Sequence, residues 1–280
     1  MIKLNIEKVR EVVRLALKED VGKGDITTDS LIPKSSKVKG EIIANQKCVI
    51  AGLPVAKMVF NELSPDVKIT EFIDEGSYAD TGEVIAEVSG PARAILTGER
   101  TALNFLQHLS GIATYASRFI EKARRYGVKI KDTRKTIPCL RYLEKYAVYI
   151  SGGENHRMGL YDMVMIKDNH LKLMQDANLT EAVKKLRKLH PDVKIEIEAE
   201  TLEQVRKALT AGADVIMLDN MDNDTMRKAV KVIDGRAIIE ASGGMRIPRI
   251  EAVAQLGVDW ISVGAITASA RSIDIKLELK

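Results

Sequence analysis

Apolar residues recur at helical spacing over residues 5 to 20, where Ile6, Val9, Val12, Val13, Ala16 and Leu17 share one face, and the pattern stops at Gly22 and Gly24. A loop, G-D-I-T-T-D, is expected next. From about residue 38 to 90 the signal changes to short β segments, V-K-G-E-I-I-A, V-K-I-T-E-F and E-V-I-A-E-V, around one helix near 53 to 62, with glycine-containing turns between them. A long helical pattern follows from Thr97 to about Tyr126, with an interruption expected at Ser110-Gly111.

Beyond that helix the chain becomes regular. Apolar strand candidates start near 128, 164, 194, 214, 237 and 259, with helical patterns between them. The alternation predicts parallel βαβ units. Its short repeat suits a (β/α) barrel, in which reactive groups gather at the carboxyl ends of the strands. A doubly wound open sheet is the alternative, but no G-x-G-x-x-G follows the first strand of this region. The tail I-D-I-K-L-E-L-K alternates with period two and is expected to return as a half-exposed strand to the small N-terminal sheet.

Composition narrows the function classes. The 280 residues are 45% hydrophobic, enough for one large core or two unequal ones. A net charge of only +4 with 4% aromatics gives neither a nucleic-acid footprint nor a stacking platform, so any preference for anions has to be local. Cys48 and Cys139 stand far apart with no zinc-ligand spacing, which fits a reducing compartment. No apolar run approaches the roughly 20 residues that span a bilayer, and no signal-peptide core opens the chain. The expectation is a cytoplasmic protein without membrane or nucleic-acid partners.

The local chemistry is concentrated between Asp132 and Asn169, which reads D-T-R-K-T, then G-G-E-N-H-R, then I-K-D-N-H. Arg134, Lys135, His156, Arg157 and Lys167 thus fall at strand ends and glycine turns, a pattern that predicts a pocket for a small polyanion. Most Arg and Lys residues are solvated surface charge. Lys167 departs from that norm because it ends the apolar strand V-M-I, where an unpaired ammonium would be costly. In K-I-E-I-E-A-E, Glu196, Glu198 and Glu200 share a strand face, either a solvated edge or a face that points into the barrel. Asp219 follows V-I-M-L and is placed either to cap the next helix or, with a glutamate of the preceding strand, to hold a hard cation such as Mg2+. Ser242-Gly243-Gly244 and Gly264 close the next two strands with small residues, as a plain turn or as a phosphate nest.

These segments resemble the quinolinate phosphoribosyltransferase family over almost the whole chain. The match runs in family order through A-L-K-E-D-V-G-K-G-D-I-T-T, A-G-L-P-V-A, G-E-R-T-A-L-N-F-L-Q-H-L-S-G-I-A-T, D-T-R-K-T-I-P, K-Y-A-V, G-G-E-N-H-R-M-G-L-Y-D, I-K-D-N-H, E-I-E-A-E, L-D-N, S-G-G and V-G-A-I-T. The resemblance implies an N-terminal α/β sandwich domain, residues 1–105 with the C-terminal strand 271–280, and an incomplete, open α/β barrel over residues 106–270. It implies transfer of a phosphoribosyl group from phosphoribosyl pyrophosphate to quinolinate with decarboxylation, giving nicotinate mononucleotide, pyrophosphate and carbon dioxide in NAD biosynthesis.

By the same resemblance, Arg134, Lys135, His156, Arg157 and Lys167 hold the quinolinate carboxylates. Arg100 reaches them from the partner subunit of a homodimer, with a higher oligomer left open. Glu198 and Asp219 lie near the ribose and the Mg2+ ion, catalytic roles fall to Lys135, Lys167, Glu198 and Asp219, and Ser242, Gly243, Gly244 and Gly264 take the phosphate. One departure is visible: some members carry a histidine where this chain has Ala268, so a phosphate contact from that position is absent. Rival readings are a phosphoribosyltransferase for another acceptor, such as a nicotinate enzyme or the molybdenum-operon relative; a Schiff-base barrel enzyme using Lys167; and a non-catalytic nucleotide sensor.

Overall fold

The computed structural model describes residues 4–174 and 178–280. In chain order the elements are α1 (Ile6–Val21), α2 (Ile26–Leu31), β1 (Lys37–Ala44), β2 (Cys48–Val49), α3 (Leu53–Leu63), β3 (Lys68–Glu71), β4 (Tyr78–Ala79), β5 (Val84–Pro91) and α4 (Ala92–Ala123). There follow β6 (Lys129–Lys131), α5 (Arg141–Ile150), β7 (Val164–Ile166), α6 (Asp168–Leu173), α7 (Leu179–Leu189), β8 (Ile195–Ala199), α8 (Leu202–Ala211) and β9 (Val215–Asp219). The last are α9 (Asn223–Ile233), β10 (Ile238–Ser242), α10 (Ile247–Ala254), β11 (Trp260–Ser262), α11 (Ala265–Ala268) and β12 (Ile275–Leu279). Two compact units result, one of residues 1–117, 136–152 and 269–280, the other of residues 118–135 and 153–268.

The first unit is built on an antiparallel sheet of order β12-β1-β5-β3, with β2 and β4 paired beside it. Strand β12 runs antiparallel to β1 from Gly40 opposite Leu279 to Ala44 opposite Ile275, so the tail returns to the sheet as its alternation predicts. Ile42, Ile50, Leu53, Ile85, Leu103, Leu106 and Ile275 form the core between the sheet and helices α3 and α4. The G-D-I-T-T-D segment, expected as a loop, instead starts α2, because the Asp25 carboxylate accepts the Thr28 N–H at 3.0 Å and caps a single turn and a half. Helix α4 also differs from expectation. It begins at Ala92 and passes through Ser110-Gly111 unbroken. Gly111 is needed there for close approach: a Cβ would lie 2.2 Å from the Arg271 carbonyl oxygen. Segment 136–152 belongs to this unit because α5 brings polar side chains to it: the Tyr146 hydroxyl donates to Glu75, and the buried Glu144 carboxylate sits 2.9 Å from His108 Nε2.

The second unit carries six parallel strands in the order β6-β11-β10-β9-β8-β7. The first strand pairs with the last, so the order is cyclic and opens only between β6 and β7, which makes an incomplete barrel. All six strands begin within one residue of their predicted positions. On β8, Ile195, Ile197 and Ala199 are buried on the face away from Glu196 and Glu198, as a period-two strand demands. Helix α8 shows why the βα joints are sharp: Thr201 and Gln204 form a reciprocal capping box, and Gly212 in the left-handed region ends the helix.

Candidate active site

The six parallel strands end at Lys131, Ile166, Ala199, Asp219, Ser242 and Ser262. The sequence-predicted residues of the barrel lie at or just beyond these ends, except His156 and Arg157, which lie in the segment before β7. Arg134 and Lys135 follow β6, Lys167 follows β7, Glu198 and Asp219 lie in the last turns of β8 and β9, Ser242-Gly243-Gly244 closes β10, and Gly264 follows β11. This is the carboxyl face, where barrel enzymes build their sites. Arg100 lies on α4 in the first unit, exposed.

Two of the motifs are tied by one carboxylate. Asp132, fully buried after β6, accepts the His156 backbone N–H at 2.8 Å and the Asn155 amide at 2.6 Å. The D-T-R-K-T and G-G-E-N-H-R segments are therefore held in register with one another. Lys135 is exposed, but its backbone carbonyl accepts from the Thr267 hydroxyl at 2.7 Å and its stem packs on Gly264, where a Cβ would stand 2.7 Å from Lys135 Cδ. Gly264 thus makes room for a cationic stem, a use that the sequence pattern alone did not indicate. The Arg157 guanidinium donates to the Met163 carbonyl at 3.2 Å, and burial together with the charge of Arg134 lowers its pKa.

Acidic groups face these cations. Lys167 Nζ lies 3.0 Å from Glu198 Oε2, the pairing that the exposed end of an apolar strand required. Glu198, Glu200 and Asp219 bring one carboxylate oxygen each within 4.8 Å of one another. An all-oxygen donor set of this kind fits a hard divalent cation. Asn220 supports it from a left-handed backbone (φ 53°), its side-chain amide donating to Asp219 at 2.7 Å. Its main-chain N–H meets the Ser242 carbonyl at 3.1 Å, and a Cβ at Gly243 would collide with Asn220 Oδ1 at 2.2 Å. The β9 and β10 turns therefore interlock, which is why Gly243, at φ 84°, admits no side chain.

His156 occupies a different environment from the one its position in the loop predicts. It is 9% exposed, with Nε2 at 3.2 Å from Oε2 of both Glu196 and Glu240 and Nδ1 accepting the Arg157 backbone N–H at 2.8 Å. Burial opposes a charge on the ring, while Glu196 and Glu240 favour one and push its pKa up to about 9. Burial, reinforced by the charge of Glu240, pushes Glu196 to about 7. Both ring nitrogens thus face protein groups. Glu240 was not among the predicted site residues. Its only signal was its place two residues before Ser242 on an apolar strand, which puts both on one face.

Comparison with known proteins follows this geometry. The family model described as the quinolinate phosphoribosyl transferase C-terminal domain matches residues 112–278, and the corresponding N-terminal domain model matches residues 25–110. A relative from Bacillus subtilis named as a probable nicotinate-nucleotide pyrophosphorylase (carboxylating) is 42% identical over 277 residues, 99% of this chain and 95% of its own length. A Methanocaldococcus jannaschii protein of the same name is 41% identical, covering 96% of each chain. The solved nicotinate-nucleotide pyrophosphorylase of Francisella tularensis superposes with a TM-score of 0.94 at 37% identity, covering 99% of this chain and 98% of that one.

Proposed function

The chain belongs to the quinolinate phosphoribosyl transferase family, and from that premise we propose how its residues divide the reaction between them. The enzyme is a decarboxylating pentosyltransferase: quinolinate and phosphoribosyl pyrophosphate give nicotinate mononucleotide, pyrophosphate and carbon dioxide. The observation that carries the residue assignment is the convergence of cations and carboxylates on the carboxyl ends of four barrel strands, with glycine turns closing the other two.

Quinolinate carries two carboxylates on a pyridine ring. Arg134 and Arg157 suit planar recognition of them, and Lys135 and Lys167 add point charge. His156 supports this group from beneath, and Arg100 completes it from the neighbouring subunit of a homodimer. The pyridine nitrogen attacks the anomeric carbon as the bond to pyrophosphate breaks, and positive charge grows on the ribose. Glu198 and Asp219 steady that charge. With Glu200 they would also hold Mg2+, which when bound neutralises the leaving pyrophosphate. Ser242, Gly243, Gly244 and Gly264 offer main-chain N–H groups to the phosphate. Once the ring nitrogen is quaternary, the 2-carboxylate leaves as carbon dioxide, its electron pair stays on the ring carbon, and a proton replaces it. Lys135 and Lys167 stabilise that carbanion-like state. The working location is the cytoplasm; among the described residues no helix is long and apolar enough to cross a membrane.

Lys167 argues against the Schiff-base alternative. A Schiff-base lysine needs a free amine nitrogen to attack a carbonyl, whereas Lys167 Nζ is engaged by the Glu198 carboxylate at 3.0 Å. The test is release of labelled carbon dioxide from 2-carboxyl-labelled quinolinate, expected only when phosphoribosyl pyrophosphate and Mg2+ are both present. Arg134→Ala should raise the quinolinate Kd by roughly 10- to 100-fold in a folded protein, the effect of losing a charge-assisted pair. Near-normal affinity removes Arg134 from the site, and no release from the native protein moves the acceptor to another pyridine acid.

A further inference from the structure

Arg249 plays no part in the division of the reaction set out above. It stands in the first turn of α10, where no acidic residue accompanies it. The positive end of a helix dipole disfavours a cation there, so its contacts rather than its helix account for the charge. The half-buried guanidinium donates through Nη1 to the Gly243 carbonyl at 3.2 Å and through Nη2 to the Met221 carbonyl at 2.6 Å. One planar group thus joins the turn that follows Asp219 at the end of β9 to the Ser242-Gly243-Gly244 turn at the end of β10.

Those contacts fix which way the peptide groups of the β10 turn point. The described residues contain no cis peptide bond, and in a trans peptide the C=O of one residue and the N–H of the next point to opposite sides. The Ser242 carbonyl accepts the Asn220 N–H at 3.1 Å, so the Gly243 N–H points away from Asn220. The Gly243 carbonyl accepts from Arg249, so the Gly244 N–H points away from that guanidinium. Because Arg249 is itself anchored on Met221, next to Asn220, both carbonyls are drawn toward the β9 turn and both N–H groups are turned from it. Gly243 and Gly244 follow one another in the left-handed region, at φ 84° and 59°, in a turn of the kind whose successive N–H groups make an anion-binding concavity. Among the described residues neither N–H donates to a protein group, and Gly244 is exposed.

We propose that Arg249 is a positioning residue for phosphate binding: by holding the Gly243 carbonyl toward the β9 turn it presents the Gly244 N–H, beside that of Gly243, to the 5-phosphate of phosphoribosyl pyrophosphate. This rests on the assignment of the Ser242-Gly243-Gly244 turn to the phosphate. Arg249 acts through the main chain, its guanidinium engaged by two carbonyls rather than by substrate.

The probe for the test is ribose 5-phosphate, which carries the phosphate without the leaving group. In 15N–1H spectra of the full-length protein, saturating ribose 5-phosphate should move the Gly243 and Gly244 amides downfield, as hydrogen bonds to an anion do; in Arg249→Met the Gly244 amide should no longer move. Arg249→Met should also raise the Kd of ribose 5-phosphate and the KM of phosphoribosyl pyrophosphate about tenfold, with kcat and the quinolinate Kd within about twofold of native. Arg249→Lys keeps the charge but replaces the planar fork by a single ammonium, so it should be weakened almost as much, and it carries the comparison if the Met variant does not fold. A lysine variant with native affinity, or equal weakening of both substrates, overturns the proposal. If the two amides move equally in the native protein and in Arg249→Met, the positioning role alone has failed; if they stay still in the native protein, the phosphate assignment has failed and the positioning role with it.

Discussion

At the scale of single residues, Glu75 departs from ordinary carboxylate chemistry outside the site. Its carboxylate accepts the Gly52 and Leu53 N–H groups at the start of α3 and the Tyr146 hydroxyl at 3.1 Å. Burial outweighs these donors and pushes its pKa from 4.5 to about 7. A folded-state value above the unfolded one means the native protein binds the extra proton between those two values. The contribution is fully present below about pH 4.5 and is lost as pH rises through about 7. The Tm of the native protein relative to that of Glu75→Gln should therefore fall as pH rises from about 5 to about 8; a relative Tm that rises with pH contradicts the raised value. The same scale shows where the sequence was readable. Lys167 was legible because an ammonium at an apolar strand end needs a partner, and Glu198 is that partner. The roles of Asp132, Glu240 and Gly264 were hidden, since each depends on a neighbour more than 20 residues away in the chain.

At the scale of elements, periodicity located what depends on burial pattern alone. The six barrel strands and β12 were legible because each is an apolar or alternating run bounded by turn residues. Strands β2 and β4, two residues each, are too short to carry a period. Helix α2 depends on a cap, and a glycine in α4 read as an interruption because the sequence does not contain the Arg271 carbonyl that passes over it. That contact gives a prediction about the whole of β12. Gln107 holds the segment by accepting from the Ile273 N–H at 3.0 Å and donating to the Ile275 carbonyl at 2.7 Å, and Gly111 lets the backbone come this close. Helix propensity alone would favour alanine at position 111. Overpacking against backbone should dominate, so Gly111→Ala should lower Tm by roughly 3 to 10 °C, from about 1–3 kcal/mol of strain. A rise in Tm would mean that the tail shifts freely and that β12 does not depend on this approach.

At the scale of the molecule, the two units differ in what they could reveal. Most of the predicted site residues of the barrel unit lie at the carboxyl ends of one parallel sheet, so topology and strand ends alone place them together. Arg100 has no such guide. It sits exposed on α4, and only the family resemblance assigns it to the site of a second copy. If that assignment holds, each site draws cations from both protomers, and two differently broken proteins can repair one another. Arg100→Ala and Arg134→Ala should each be nearly inactive alone. Unfolded together and refolded at equal amounts, they should recover about one quarter of native activity, because half of randomly paired dimers are mixed and each mixed dimer holds one site with neither substitution. A site completed within a single chain predicts a different outcome, since every site would then carry one lesion whatever its partner, and mixing would restore nothing. The two results separate a shared site from a self-contained one without any need to see the dimer.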